Sequence, residues 1–404
     1  MTSRRPAPRS LAVIADLPHH RDAAGRLYGL EPVVAQLDEW AALFDRLVIC
    51  SPVLPGAPPA GFAPYRSSGI EMVDLPRGGG NTLGAKLAMI PLIPGWAWRT
   101  RRVARRVDAV HLRCPSNIGL VAVFSTWRAA RYRSAMYAGV WRHYDGEPRF
   151  FRLQRELLRG RWFGGPVSVY APADPRRPHL EPSFSPSFTH AAWEAAAPTA
   201  EAKRDSVSAR PDAGVWRLAV VGRLTPNKNQ QAAVRAVADL AASGLDVELD
   251  VLGDGPERGR LELLARDLGL GDRVRFRGMV PFDEVTEVFA AADLQLLPSR
   301  QEGYGKVLLE GMVQGTVPLL SPGPAADGIA GHGSRGLLID PHAPATIAAA
   351  VRSLIDDRPR WLGMIDDARA YTAEHTLEVF RTRLRAMLER QWDVDLAGVV
   401  ASDQ

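Results

Sequence analysis

Cysteine is nearly missing from this chain of 404 residues: Cys50 and Cys114 are the whole complement. Two thiols without metal-like spacing argue against a disulfide framework and against a zinc site, and they suit a reducing compartment. Long apolar runs are missing too. No stretch approaches the roughly 18 residues a membrane-spanning helix needs. "LAVIAD" behind the basic "MTSRRPAPRS" is too short for a signal-peptide core. The first strand-like run leads into "ADLPHHRDAAGRLYG", where Gly25 is the only glycine before Tyr28. The early G-x-G-x-x-G fingerprint of a dehydrogenase is therefore absent. No helix-turn-helix spacing, zinc-finger pattern or RNA-binding aromatic motif occurs, so nucleic acid is not the expected partner. These absences point to a cytosolic globular protein.

What is present begins with uneven charge. Residues 1–200 carry 26 Lys and Arg against 15 Asp and Glu, whereas the remaining residues carry 24 against 30. A basic half joined to an acidic half suggests an anionic partner for the first, either a phosphate-bearing substrate or an anionic membrane face. At this length a single core is not expected. Apolar runs of strand length alternate with helical patterns: "LAVIAD" (11–16), "RLVICS" (46–51), "IEMVDL" (70–75), "DAVHLR" (108–113), "SAMYAG" (134–139) and "VSVYA" (167–171). The alternation restarts with "RLAVVG" (217–222), "VELDVLG" (247–253), "RVRFRG" (273–278), "DLQLLP" (293–298) and "TVPLLS" (316–321). Continuous apolar runs of this kind are buried parallel strands. Helices are expected at about 229–243, 257–268, 282–291 and 305–314, with one long amphipathic segment from about Tyr371 to Trp392. The Pro-, Ala- and Ser-rich passage 172–214 reads as a linker. The fold class is α/β, with two doubly wound, Rossmann-like domains facing a cleft.

Open parallel sheets bind ligands at the carboxyl ends of their strands, so the loops there carry weight. "SRQEGYGKVLLEGMVQG" (299–315) follows one such strand. Its glycines Gly303 and Gly305 permit a tight turn into a helix, whose free amides suit a phosphate. Glu310, inside that helix, can accept hydrogen bonds from two ribose hydroxyls, and Glu302, in the turn, can meet a sugar ring. The alternative is two solvent-exposed glutamates beside capping glycines. In "VVGRLTPNKNQQAAV", Arg223 and Lys228 lie on a second strand-end turn, where both can reach a diphosphate. "LGDGPERGRL" (252–261) does not keep dinucleotide-binding spacing, and its Gly-Pro reads as a helix start. "RGMVPFDEV" (277–285) can border a nucleobase through Arg277, Met279 and Val280.

Together these residues resemble the second domain of the retaining family 4 glycosyltransferases, which have the GT-B fold. The matching elements are "VGRL…K", "LGDGP", "RVRFRGMVP" and the E-x7-E pair Glu302 and Glu310 within "EGYGKVLLEGM", over about residues 216–342. The resemblance implies residues 1–200 as an acceptor-binding domain and 201–370 as a nucleotide-sugar-binding domain. It implies that 371–404 form a C-terminal helix crossing back onto the first. It implies a nucleotide-diphosphate sugar as co-substrate, with no other cofactor and no metal. Arg223 and Lys228 would hold the diphosphate, and Glu302 would contact the donor sugar. Glu310 would take the ribose, and Gly303, Tyr304, Gly305 and Lys306 would complete the donor site with Met279 and Val280. Gly25 is the one glycine left to serve in the first-domain loop.

The first half departs from the family pattern. Gly139 in "SAMYAGVWRHYDG" stands where many members carry a histidine near the reacting carbon. Acceptor-binding candidates are His19, Asp22, Arg113, Asn117, Tyr137 and Trp141, while His111 reads as a core residue. The stretch "GAKLAMIPLIPGWAWRTRRVARR" (84–106) joins an apolar section with two tryptophans to five arginines. That is the pattern of an interfacial anchor on the inner face of the plasma membrane, or of an ordinary surface helix. The expected function is sugar transfer to a glycan or lipid-linked acceptor in bacterial polysaccharide or glycolipid assembly. Its rivals are a GT-B nucleotide-sugar epimerase and a non-catalytic nucleotide-sugar binder.

Overall fold

The computed structural model describes residues 5–80 and 82–396. The chain divides into two units, one comprising the chain up to Phe184 together with the stretch from Leu377, the other Ser185–Thr376. The first unit is built on a seven-stranded sheet. In spatial order its strands are Leu180–Pro182, Val167–Val169, Tyr132–Tyr137, Ala109–Cys114, Ser10–Ile14, Arg46–Ser51 and Glu71–Asp74. Every pairing is parallel. Leu11, Ala12, Val13 and Ile14 are all fully buried, as a central strand covered on both faces requires.

The second unit repeats the plan with six strands ordered Val274–Gly278, Val247–Leu252, Trp216–Val221, Leu294–Leu297, Val317–Leu320 and Leu337–Leu338. All its pairings are parallel as well. In both sheets the strand order reverses beside the first strand. The crevice at such a reversal is where open α/β sheets bind ligands.

The eleven runs read as strands all take part in these two sheets, and the four expected helices appear as Gln230–Ala242, Arg258–Asp267, Phe282–Ala291 and Lys306–Val313. Three features differ from the sequence reading. The stretches after the first two strands of the chain's main sheet fold into a small sheet of His19–Arg21, Leu27–Leu30, Val53–Leu54 and Phe62–Pro64, its strands too short to announce themselves. Passage 172–214 is no open linker, because it holds the edge strand Leu180–Pro182 and the helices His190–Ala195 and Ala197–Ala209. Lys203 explains its order: the 6%-exposed ammonium donates to the carbonyls of Phe289, Ala290 and Ala292, closing the end of helix Phe282–Ala291. Burial pulls its pKa down to about 8. Finally, the segment from Tyr371 to Trp392 is broken at 374–376, between helices Arg358–Ala373 and Leu377–Trp392. The second of these lays Leu377, Phe380, Leu384, Met387, Leu388 and Trp392 into the first unit. There Trp392 Nε1 donates to the Arg133 carbonyl at 3.1 Å and Arg390 meets Glu181 at 2.7 Å.

Candidate functional site

The two loops singled out from the sequence leave the carboxyl ends of Trp216–Val221 and Leu294–Leu297, adjacent strands that flank the order reversal of the second sheet. Backbone and side chain tie them together. Asn227 Nδ2 donates to the Gln301 carbonyl at 2.9 Å, and its Oδ1 accepts from the Gln301 amide at 3.1 Å. Asn229, left-handed at φ 55° before helix Gln230–Ala242, donates to the carbonyls of Pro298 and Pro341 at 3.1 and 2.7 Å. Asparagine tolerates that conformation better than most residues. Held this way, Lys228 Nζ reaches Glu302 Oε2 at 2.5 Å, and Ser299 Oγ donates to the same carboxylate oxygen at 3.1 Å. Nothing local in the sequence marks Asn227 or Asn229 for this task. The "PNKN" turn is visible, but its partners lie 69 to 112 residues downstream.

Arg223, exposed on the same turn, makes no ion pair among the described residues. It borders a pocket of about 420 Å³ with Gly222, Gly253, Asp254, Met279, Val280 and Val285. The residues chosen for a nucleobase thus share one cavity with a diphosphate candidate. Arg277 does not join them: its Nε donates to Asp250 at 2.8 Å. Gly255-Pro256 precedes helix Arg258–Asp267, as the helix-start reading expects, while the other glycine of "LGDGP", Gly253, answers to a separate backbone constraint. Gly253 has φ +119°, and a Cβ there would lie 2.3 Å from the Gly222 carbonyl oxygen. The neighbouring loops are hydrogen-bonded backbone to backbone, Leu224 N to Asp254 O at 2.9 Å and Gly253 N to Gly278 O at 2.7 Å. Only a residue without a side chain lets them approach so closely.

Gly305 precedes helix Lys306–Val313 at φ 76°, and a Cβ there would meet Leu297 at 2.7 Å. Tyr304 is buried, whereas Gly303 and Lys306 are half-buried at the helix entry. Val307 in the first turn packs on the same small cluster of Ala219, Leu252, Val288, Phe289 and Ala292 as Val280 and Val285. Glu310, one turn on, faces a different cavity, of about 380 Å³, beside Phe282, Asp283 and Thr286. Among the described residues no group of three His, Cys, Asp or Glu side chains converges as metal ligands would.

The first-unit candidates are mostly structural here. His19 is 1% exposed, its Nδ1 against the Leu17 carbonyl at 2.9 Å and its Nε2 against the Tyr65 hydroxyl at 2.8 Å. Burial lowers its pKa to about 4. A neutral ring with both nitrogens engaged offers nothing to an acceptor in this arrangement. Asp22 closes the hairpin turn by accepting from the Arg26 amide and Nε, both at 2.8 Å, and Gly25 sits in that turn at φ +82°. Tyr137 and Trp141 are buried edge to face, with ring centroids 5.1 Å apart. His111 stacks on Trp40 at 4.1 Å, the core residue expected. Asn117 opens helix Asn117–Ser125, where it touches the Gly79 position. Arg113, at the carboxyl end of Ala109–Cys114 beside the order reversal of the first sheet, is the exception. Its Nη2 donates to Gln36 at 3.3 Å, and its Nη1 is closed to solvent with no partner.

Segment 84–106 folds as helices Leu83–Met89 and Ile93–Ala104, joined by the 3-10 turn Ile90–Leu92. Its two tryptophans part company. Trp96 is fully buried, its Nε1 donating to the Pro76 carbonyl at 2.8 Å, while Trp98 is 60% exposed. The arginines divide as well. Arg99 and Arg101 hydrogen-bond the carbonyls of Asp74 and Ser125, while Arg102 lies over Trp98 at 5.1 Å, and Arg105 and Arg106 are exposed.

Two parallel α/β halves of this order, with a loop-borne cation and carboxylate at the reversal of the second, define the GT-B class. Residues 203–371 match the family described as Glycosyl transferases group 1. The chain is 35% identical over 165 residues to 2-deoxystreptamine glucosyltransferase of Streptomyces kanamyceticus, covering 41% of this chain and 42% of that protein. It is 33% identical over 196 residues to D-inositol 3-phosphate glycosyltransferase of Corynebacterium kroppenstedtii, covering 45% and 44%. The chain thus spans less than half the length of these curated relatives. Its fold is similar to that of Anabaena HepE in complex with UDP and glucose (TM-score 0.68, 17% identity, 95% of this chain and 100% of that one). Sucrose-phosphate synthase of Thermosynechococcus elongatus is similar too (TM-score 0.69, 18% identity, 95% and 98%).

Proposed function

We propose that this protein is a retaining glycosyltransferase that moves a sugar from a nucleotide-diphosphate sugar to a glycan or lipid-linked acceptor in bacterial polysaccharide or glycolipid assembly. The observation that carries the reading is the Lys228–Glu302 contact beside Arg223, on two loops at the order reversal of the second sheet. The donor's diphosphate takes up Lys228 and Arg223, which neutralise the charge that grows as the bond between sugar carbon and phosphate oxygen breaks. Glu302 receives hydroxyls of the donor sugar. The acceptor oxygen attacks from the face the phosphate leaves, and its proton passes to the departing phosphate. No metal is needed when two cations stabilise that group. The base lies in the pocket of Met279 and Val280, and Glu310 binds the ribose. Acceptor binding falls to the first unit, with Arg113 and Asn117 its remaining candidates. The enzyme works in the cytosol, with segment 84–106 resting on the anionic inner face of the plasma membrane.

Gly139, standing where a histidine is expected, keeps one other reading in view, a nucleotide-sugar binder without turnover. Incubating the full chain with nucleotide sugars and an acceptor panel separates the two. Release of nucleoside diphosphate that depends on acceptor supports transfer, whereas saturable donor binding with no release in any combination identifies a binder.

A further inference from the structure

Segment 84–106 is not the only apolar surface of the first unit. Helix Ile93–Ala104 packs along helix Asn117–Ser125, and Arg101 Nη1 joins them through the Ser125 carbonyl at 3.1 Å and the Trp127 carbonyl at 3.4 Å. At that end of the second helix an aromatic cluster stands in solvent. Phe124, Trp127 and Trp162 are 49%, 41% and 42% exposed, with Trp162 5.6 Å from Phe124 and 5.7 Å from Trp127. Helix Arg149–Arg159, which leads to Trp162, also carries Phe150 and Leu153, 52% and 45% exposed. On the segment itself Leu87, Ile90 and Trp98 are between 56% and 60% exposed. Scattered exposed apolar residues need no explanation, but a contiguous set of large ones does.

The charge around this set is strongly basic. From residue 75 to residue 162 there are seventeen Lys and Arg against four Asp and Glu. Arg128 lies over the Trp127 ring at 4.6 Å and Arg102 over Trp98 at 5.1 Å, so cations are stacked on the exposed indoles themselves. Indoles at headgroup depth with guanidinium groups among the phosphates describe a membrane interface. A basic rim also repels a second copy of itself.

We infer that the Phe124–Trp127–Trp162 cluster and segment 84–106 form one composite platform that docks on an anionic lipid bilayer. This deepens the membrane reading of segment 84–106 by adding an aromatic half from elsewhere in the chain, and it does not depend on glycosyl transfer. The docking is peripheral, since no helix among the described residues is long and apolar enough to cross a membrane. Apolar burial and basic charge act together, which is what reversible anchoring needs.

Flotation of the full chain with phosphatidylcholine vesicles, with and without 30% phosphatidylglycerol, tests the assignment at about 0.15 M salt. Binding is expected to the anionic vesicles alone. Trp127→Ser with Trp162→Ser is expected to lower the partition coefficient about tenfold. Replacing Arg102, Arg105 and Arg106 by Gln is expected to lower it on the order of a hundredfold, at about 1 kcal/mol per cation. All these side chains are exposed, and an unchanged melting temperature shows that the variants fold. Unaltered binding by the double tryptophan variant overturns the composite platform while leaving segment 84–106 as an anchor. Absence of anionic-vesicle binding overturns both. A dimer in size-exclusion chromatography that the double variant abolishes also overturns the inference, giving the cluster to a second copy.

Discussion

Lys228 Nζ lies 2.5 Å from Glu302 Oε2, joining two loops 74 residues apart in the chain. The pair is part-exposed, the two side chains retaining 28% and 20% of their accessibility. A surface ion pair of this sort adds little stability. Its meaning is competition: without a ligand the carboxylate satisfies the ammonium, and a diphosphate, which carries more charge, can take the ammonium over. Lys228→Ala is therefore expected to weaken nucleoside diphosphate binding about ten- to a hundredfold, the range for a lost charged hydrogen bond. Glu302→Gln removes the competitor, so nucleoside diphosphate is expected to bind as tightly or more tightly while donor turnover falls. Titration calorimetry decides it. A Glu302→Gln variant that loses affinity like Lys228→Ala would reduce the pair to a clasp between loops.

The approach of the Gly253 and Gly222 loops gives a second test. With φ at +119° and the Gly222 oxygen 2.3 Å from any added Cβ, Gly253→Ala needs both backbone strain and loop displacement. A loss of about 2 kcal/mol or more in urea unfolding is expected, together with weaker diphosphate binding, because Arg223 follows the displaced turn. Gly259→Ala is the control. It lies in helix Arg258–Asp267 with open space at its Cβ, and alanine there is expected to stabilise by up to about 1 kcal/mol.

The contrast between these glycines marks what a sequence can reveal. Both belong to "LGDGPERGRL", and nothing local distinguishes them. The constraint on Gly253 comes from a loop thirty residues earlier. Legibility followed locality. Runs such as "RLAVVG" and "DLQLLP" read as strands because burial on both faces leaves a continuous apolar record, and the loops at their ends could be weighed at once. Lys228 and Glu302 were chosen on that basis, though not as contacting partners. Lys203, Asn227 and Asn229 were missed because each completes hydrogen bonds to carbonyls remote in the chain. His19 and Asp22 looked chemical because polar residues in a strand-end loop resemble a site. The hairpin sheet that absorbs them has strands of two to four residues, below the length at which alternation is recognisable.

The buried His19 sets a pH dependence. Its pKa is about 4 in the folded chain, against about 6.5 unfolded. Between those values the unfolded chain binds the extra proton, so stability rises with pH and is complete above about 6.5. As pH falls through this window, up to about 3 kcal/mol is expected to be lost, most of it by pH 4. His19→Gln is expected to be less stable at pH 7.5, having lost contacts to Leu17 and Tyr65, yet to show a flatter acid limb. Urea unfolding at pH 7.5, 6 and 5 compares the two slopes. Parallel slopes would assign the acid sensitivity to other groups.

Arg113 poses the opposite problem, a cation that the surrounding protein does not pair. Its Nη1 has no hydrogen-bond partner, its Nη2 has one long bond to Gln36, and among the described residues no carboxylate pairs with it. Burial accordingly pulls its pKa down. A half-buried charge left without a counter-charge costs stability. Arg113→Met, of similar reach and no charge, is expected to leave the melting temperature unchanged or raise it by a few degrees, the shift that about 1 kcal/mol produces in a unit of this size. If Arg113 serves the acceptor, the same variant is expected to lower transfer at least tenfold through the acceptor's KM with the donor's KM unchanged. A fall in melting temperature would give Arg113 a structural role instead. A rise in the donor's KM alone would place it on the diphosphate.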